Sequence, residues 1–142
     1  MNFKMKLSFV CYLLSIFILA AFGVSYLLRS EFMPYHSVAV GMPWSEVSPS
    51  FQILILALMK ALGGMCLAVA LSEFILLYLP FRQGVVWVRW LIPSVGLISC
   101  SATLYAMIYV ASNTAASPPI GIVLVAVVLL VSGLIISMLS KD

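Results

Sequence analysis

The chain has 142 residues, of which 65% are apolar and only 8% charged, with seven Lys/Arg, four Asp/Glu and a single His. Water-soluble domains carry about 25% charged residues, and the mean hydropathy here is +1.25, so a soluble fold is excluded. The net charge of +3 is too small, and too tied to the ends of apolar runs, to indicate nucleic-acid binding.

The first apolar run, Leu7–Leu28, follows Lys4 and Lys6. Basic residues before an apolar core also describe a secretory signal, with Ala21-Phe22-Gly23 as the small-x-small cleavage site. The run continues to Leu28, longer than a typical signal core, and an uncleaved helix is expected. Further runs occupy Phe51–Leu79, Trp90–Ala111 and Ile120–Ser140, separated by Pro80, Gly84 and the Ser117-Pro118-Pro119 cluster. In hydrocarbon such runs must be helical, because a helix satisfies its own N–H and C=O groups. The expected fold is all-α: one transmembrane domain over 1–142, an antiparallel four-helix bundle with helices 7–28, 51–79, 90–111 and 120–140. No repeat relates the two helix pairs, so an inverted-repeat transporter within one chain is unsupported.

Orientation follows from the basic residues. If all four helices span, Lys4, Lys6, Arg82, Arg89 and Lys141 share one side and Arg29 stands on the other. Both termini are therefore expected in the cytoplasm, with segment 29–50 an outer, periplasmic loop. Phe3, Tyr78, Phe81, Trp87 and Trp90 fall at the inner boundary, and Tyr26, Tyr35, Trp44 and Tyr109 at the outer one.

The second span breaks the pattern. It holds the two charges found inside the runs, Lys60 and Glu73, each costing about 2.5–3.5 kcal/mol at a helix centre. Its length, about 43 Å at 1.5 Å per residue, exceeds a core of about 30 Å, so an overshoot or a bend at Gly63-Gly64 is expected. The overshooting Phe51–Leu56 is too apolar for water, and the 29–50 loop is the expected cover. Ala57, Ala61, Gly64, Ala68 and Ser72 recur every three or four residues as a small-residue packing face, with Gly63 beside it. Lys60 belongs near that face, and Glu73, about 220° further round, on the other side. The plainer reading has Lys60 snorkelling outward and Glu73 reaching inward to Arg82 or Arg89; the sharper one makes Lys60 a buried cation in a polar pocket. Ser99, Cys100, Ser101, Thr103, Tyr105 and Tyr109 give the third span its polarity. If a pocket exists, spans two and three are expected to build it, and span four, nearly all Val, Leu and Ile, is expected to be the most lipid-exposed.

Within 29–50, Pro34, Pro43 and Gly41 suggest a fixed conformation, and Ser48-Pro49 a helix start with Ser48 as N-cap. The plainer reading of this loop is a cap on the bundle, with Tyr35 and Trp44 at headgroup level. His36 with Glu31 and Glu46 lacks compact ligand spacing, so no metal or catalytic residue is assigned. Cys11, Cys66 and Cys100 lie in apolar stretches and are expected to be small hydrophobes.

Glu31-Phe32-Met33-Pro34-Tyr35-His36, Gly41, Trp44, Gln52 and Ala57-Leu58-Met59-Lys60 before Gly63-Gly64 make residues 29–80 resemble small uncharacterised four-helix bacterial inner-membrane proteins. The glycine pair is also similar to the start of helix two in DoxX-like membrane proteins. The resemblance implies a bacterial inner-membrane location and brings no catalytic residues.

Three functional readings follow. The first is a non-catalytic accessory or interaction subunit, its partners the lipid bilayer and a second copy or another membrane protein. The alternative is binding or transport of a lipid-like, amphipathic anionic molecule between spans two and three, with Lys60, Glu73, Tyr35, His36 and Trp44 as candidate ligand-binding residues. An enzyme using Glu31, His36 and Glu46 ranks last. No cofactor is expected in any of the three.

Overall fold

The computed structural model describes residues 1–140, and all of its regular structure is helical. The helices are α1 (Phe3–Leu28), a short α2 (Pro34–Val40), α3 (Pro49–Leu76), α4 (Val88–Asn113) and α5 (Ile120–Met138), with a 3-10 turn at Trp44–Glu46 and a π-helical turn at Leu77–Phe81. Four of them are long and apolar enough to cross a membrane. Lys141, used above in the orientation argument, lies outside the described residues.

The boundaries extend the expected spans by a few residues where polar caps are available. The Asn2 side chain accepts the Met5 N–H at 3.0 Å and starts α1 ahead of Leu7. Ser48 is the N-cap residue of α3 with Pro49 following, although its side chain makes no capping hydrogen bond. α3 runs unbroken through Gly63-Gly64 and continues into the π turn, which absorbs Pro80. The combined element of 33 residues is about 50 Å long, longer than a bilayer core of about 30 Å, and it is not interrupted at the glycine pair.

Four helices form a bundle in which α1 packs against both α3 and α5, α4 packs against α5, and α3 meets α4 sparsely. The α1–α3 contact rests on one close backbone approach: a Cβ on Gly63 would lie 2.7 Å from the Gly23 carbonyl oxygen and 2.7 Å from the Leu27 nitrogen. The α1–α5 contact rests on Gly133, where a Cβ would lie 2.7 Å from the Tyr12 ring, and on the Ser8 hydroxyl donating to the Gly133 carbonyl at 2.7 Å. α4 approaches α5 at Gly96, where a Cβ would meet Leu130 at 2.8 Å.

Around the π turn the core is densest. Tyr12, Leu77, Phe81, Val88, Ile92 and Leu130 are fully buried in one cluster, and Tyr12 meets Phe81 edge-on at 5.6 Å. Pro93 sits inside α4 and has no N–H for the Arg89 carbonyl. The Tyr12 hydroxyl donates to that carbonyl at 3.2 Å and fills the gap.

The small-residue face, expected to pack within the bundle or between subunits, does not pack within the chain: Ala57, Ala61, Gly64, Ala68 and Ser72 are all exposed, while Met59, Gly63, Cys66, Ala70, Glu73 and Leu77 turn inward. One expectation requires correction: the fourth apolar helix is not the most exposed, since 28% of the residues in its most apolar stretch are buried against 17% in that of Pro49–Phe81. Lipid and protein interior are both apolar, so hydropathy marks a span without saying which way it faces.

Candidate functional site

The pinned end and the sparse α3–α4 contact leave a cleft between these two helices toward the α2 end of the bundle. Its larger part is about 390 Å³, within the ordinary range for small-molecule sites, and is walled by Ile55, Leu58, Met59 and Leu62 of α3 and Thr103, Ala106 and Val110 of α4. Phe22 and Tyr26 of α1 form its back, and Tyr35 and His36 of α2 its upper rim. A smaller cavity of about 60 Å³ lies deeper, walled by α1 at Ser15, by α4 at Gly96, Ser99, Cys100 and Thr103 and by α5 at Val123 and Ala126, with Glu73 as its one α3 residue. Phe22, Thr103 and Met107 line both.

The rim is ordered by local chemistry. Pro34 sits at the start of α2, and Gly41 ends it with φ 77°, its N–H donating to the Ser37 carbonyl at 2.9 Å. The Met33 N–H donates to His36 Nδ1 at 3.3 Å, which places the imidazole proton on Nε2. The His36 ring lies against Tyr35 at 4.3 Å, Tyr26 at 6.3 Å and Phe32 at 6.3 Å. Burial holds its pKa below the ordinary 6.5. The Tyr26 and Tyr35 hydroxyls are hydrogen-bonded to each other, joining α1 to α2. Burial pushes the Tyr35 hydroxyl above its ordinary value, against the opposing effect of the Tyr26 bond.

Trp44 is not in the cleft wall. It meets Phe32 edge-on at 4.9 Å, and its carbonyl accepts the Gln52 amide at 2.8 Å, tying the connecting segment to the start of α3. The cover over Phe51–Leu56 is partial: Ile55 packs into the Trp44 cluster, whereas Phe51, Ile53 and Leu54 stay exposed. Glu31 and Glu46 are both exposed, and His36 has aromatic neighbours. Among the described residues no group of three His, Cys, Asp or Glu side chains is placed to hold a metal ion.

The two charges within the second span have opposite fates. Lys60 is exposed, and its Nζ donates to the Leu27 carbonyl at 3.2 Å, capping the end of α1, where orphan carbonyls favour a cation. It lines neither cavity. Glu73 is 1% exposed, opens on the deeper cavity, and its Oε1 has no hydrogen-bond partner. Of the two arginines anticipated for it, Arg82 stacks instead over the Tyr78 ring at 4.7 Å, and Oε1 faces Gly96. The signal for Glu73 was its place opposite the small-residue face, together with the polar stripe Ser99, Cys100 and Thr103 on the facing helix. The contribution of α1 through Ser15 and Phe22 had no such signal.

No known protein family, curated protein or solved structure matches the chain.

Proposed function

We propose that the protein is a non-catalytic, multi-pass protein of the bacterial inner membrane that binds a lipid-like amphipathic molecule in the cleft between α3 and α4. The observation that carries this reading is the cleft itself. Two long neighbouring helices are pinned by Leu77, Phe81, Val88 and Ile92 at one end and stand apart at the other, leaving a cavity of about 390 Å³ walled mainly by aliphatic side chains. Such walls suit an alkyl chain, and the hydroxyl and imidazole rim suits a polar end. Antiparallel helices, cytoplasmic termini and a periplasmic 29–50 segment are part of the same reading. They are supported by the distribution of Lys4, Lys6, Arg82 and Arg89 against Arg29.

The test is native mass spectrometry of the full chain extracted with its native lipid. An adduct of defined mass is expected in the wild type and is expected to be lost in Ala106→Phe, which fills the cleft from its exposed wall. No adduct in the wild type, or an adduct unchanged in Ala106→Phe, overturns the reading.

One observation favours a second reading, an accessory or interaction subunit. Ala57, Ala61, Gly64, Ala68 and Ser72 present an exposed face of small residues on α3, the kind of surface on which a second transmembrane helix packs closely.

A further inference from the structure

We propose that Glu73 makes the cleft selective for an amphiphile with a protonated amine head, its ammonium seated on the Glu73 carboxylate; the inference rests on the cleft reading above. Glu73 is 1% exposed and lines the deeper cavity, and its Oε1 has no hydrogen-bond partner. A carboxylate offers acceptors and no donor, and burying one without a partner is costly. Any donor would satisfy the orphaned oxygen, but a cation bearing N–H donors also offsets the buried negative charge. An ammonium has three, and the hydroxyl oxygens of Ser15, Ser99 and Thr103 line the same cavity as further acceptors.

The alternatives fit less well. A bare metal ion needs several oxygen ligands at once, and among the described residues no cluster of acidic, His or Cys side chains supplies them. An anionic head would sit against a carboxylate, while Lys60, the cation of the same helix, lines neither cavity. An amine with an alkyl tail fits both halves of the site. The head fits the cavity of about 60 Å³ beside Glu73, and Phe22, Thr103 and Met107, which line both cavities, put the larger cleft next to it for the tail.

The experiment compares dodecylamine, dodecanol and laurate binding to the full chain in phosphatidylcholine nanodiscs, read by native mass spectrometry. In the wild type, dodecylamine is expected to bind at about tenfold lower concentration than dodecanol, the return on one charge-assisted hydrogen bond. In Glu73→Gln the two are expected to fall within about twofold of each other, while Glu73→Asp keeps the preference. Equal binding of amine and alcohol by the wild type overturns the inference and leaves the cleft reading standing. Tightest binding of laurate, or an amine preference that survives Glu73→Gln, also overturns it. If none of the three binds, both fall. The wild-type comparison needs no substitution and decides the matter even if Glu73→Gln fails to fold.

Discussion

Gly63 and Gly64 are adjacent in sequence and opposite in consequence. A Cβ at Gly63 would strike backbone atoms of Gly23 and Leu27 at 2.7 Å, whereas a Cβ at Gly64 meets nothing within 4 Å. Gly63→Ala is therefore expected to force α1 and α3 apart at a cost of about 1–3 kcal/mol. Gly64→Ala is expected to be neutral, or stabilising by up to about 1 kcal/mol through helix propensity. Thermal unfolding of the two purified variants side by side checks both signs. Tyr12→Phe removes the donor to the Arg89 carbonyl that Pro93 leaves without its helical partner. A cost of about 1–3 kcal/mol is expected, visible as a lowered unfolding midpoint. The sequence located the ionisable residues inside the second span but not their roles. Lys60 and Glu73 stand on opposite faces, and the direction of α1, the neighbour that decides which face is inside, is a tertiary fact. Lys60 therefore caps a helix end, and Glu73 is the group left in the cavity.

At the scale of elements, hydropathy and punctuation located every long helix, with ends shifted by a few residues toward caps such as Asn2. The pattern was silent on α2, whose seven residues are too few for a periodic signal. Its formation depends on Pro34 at one end, the left-handed Gly41 at the other, and an aromatic cluster contributed by α1. His36 gives this element a pH dependence of defined sign. Its folded pKa is depressed by burial, and its Nδ1 accepts the Met33 N–H, so folded α2 favours the neutral ring while the unfolded segment takes up a proton more readily. The contribution is complete above the ordinary 6.5 and is lost as pH falls below that value toward the lowered folded one. Amide hydrogen exchange over residues 34–40 is expected to be faster at about pH 5 than at about pH 7.5, after correction for intrinsic rates, and a His36→Gln variant is expected to flatten the difference. The small-residue face shows the opposite limit of sequence reading. Its spacing was legible, but the surface it serves was not, because Gly63, one position off the stripe, carries the contact with α1.

For the whole molecule, the decisive feature is an unequal distribution of contacts. α1 holds α3 and α5, α5 holds α4, and the pair α3–α4 meets sparsely, at the π turn and beside Glu73. Residues far apart in the chain meet at that end, so the opening at the other end could not be read from any single span. The central claim is that this opening holds an amphiphile, and photocrosslinking tests it most directly. A long-chain amine carrying a diazirine on its tail is bound to the full chain in nanodiscs, irradiated, and the adducts are mapped by peptide sequencing. The account predicts labels concentrated at Ile55–Leu62 and Thr103–Val110, the walls of the cleft, and their loss in Ala106→Phe. Labels spread instead over the outward side chains of α5, such as Leu124, Val125 and Val128, which are exposed on the bundle surface, would contradict it.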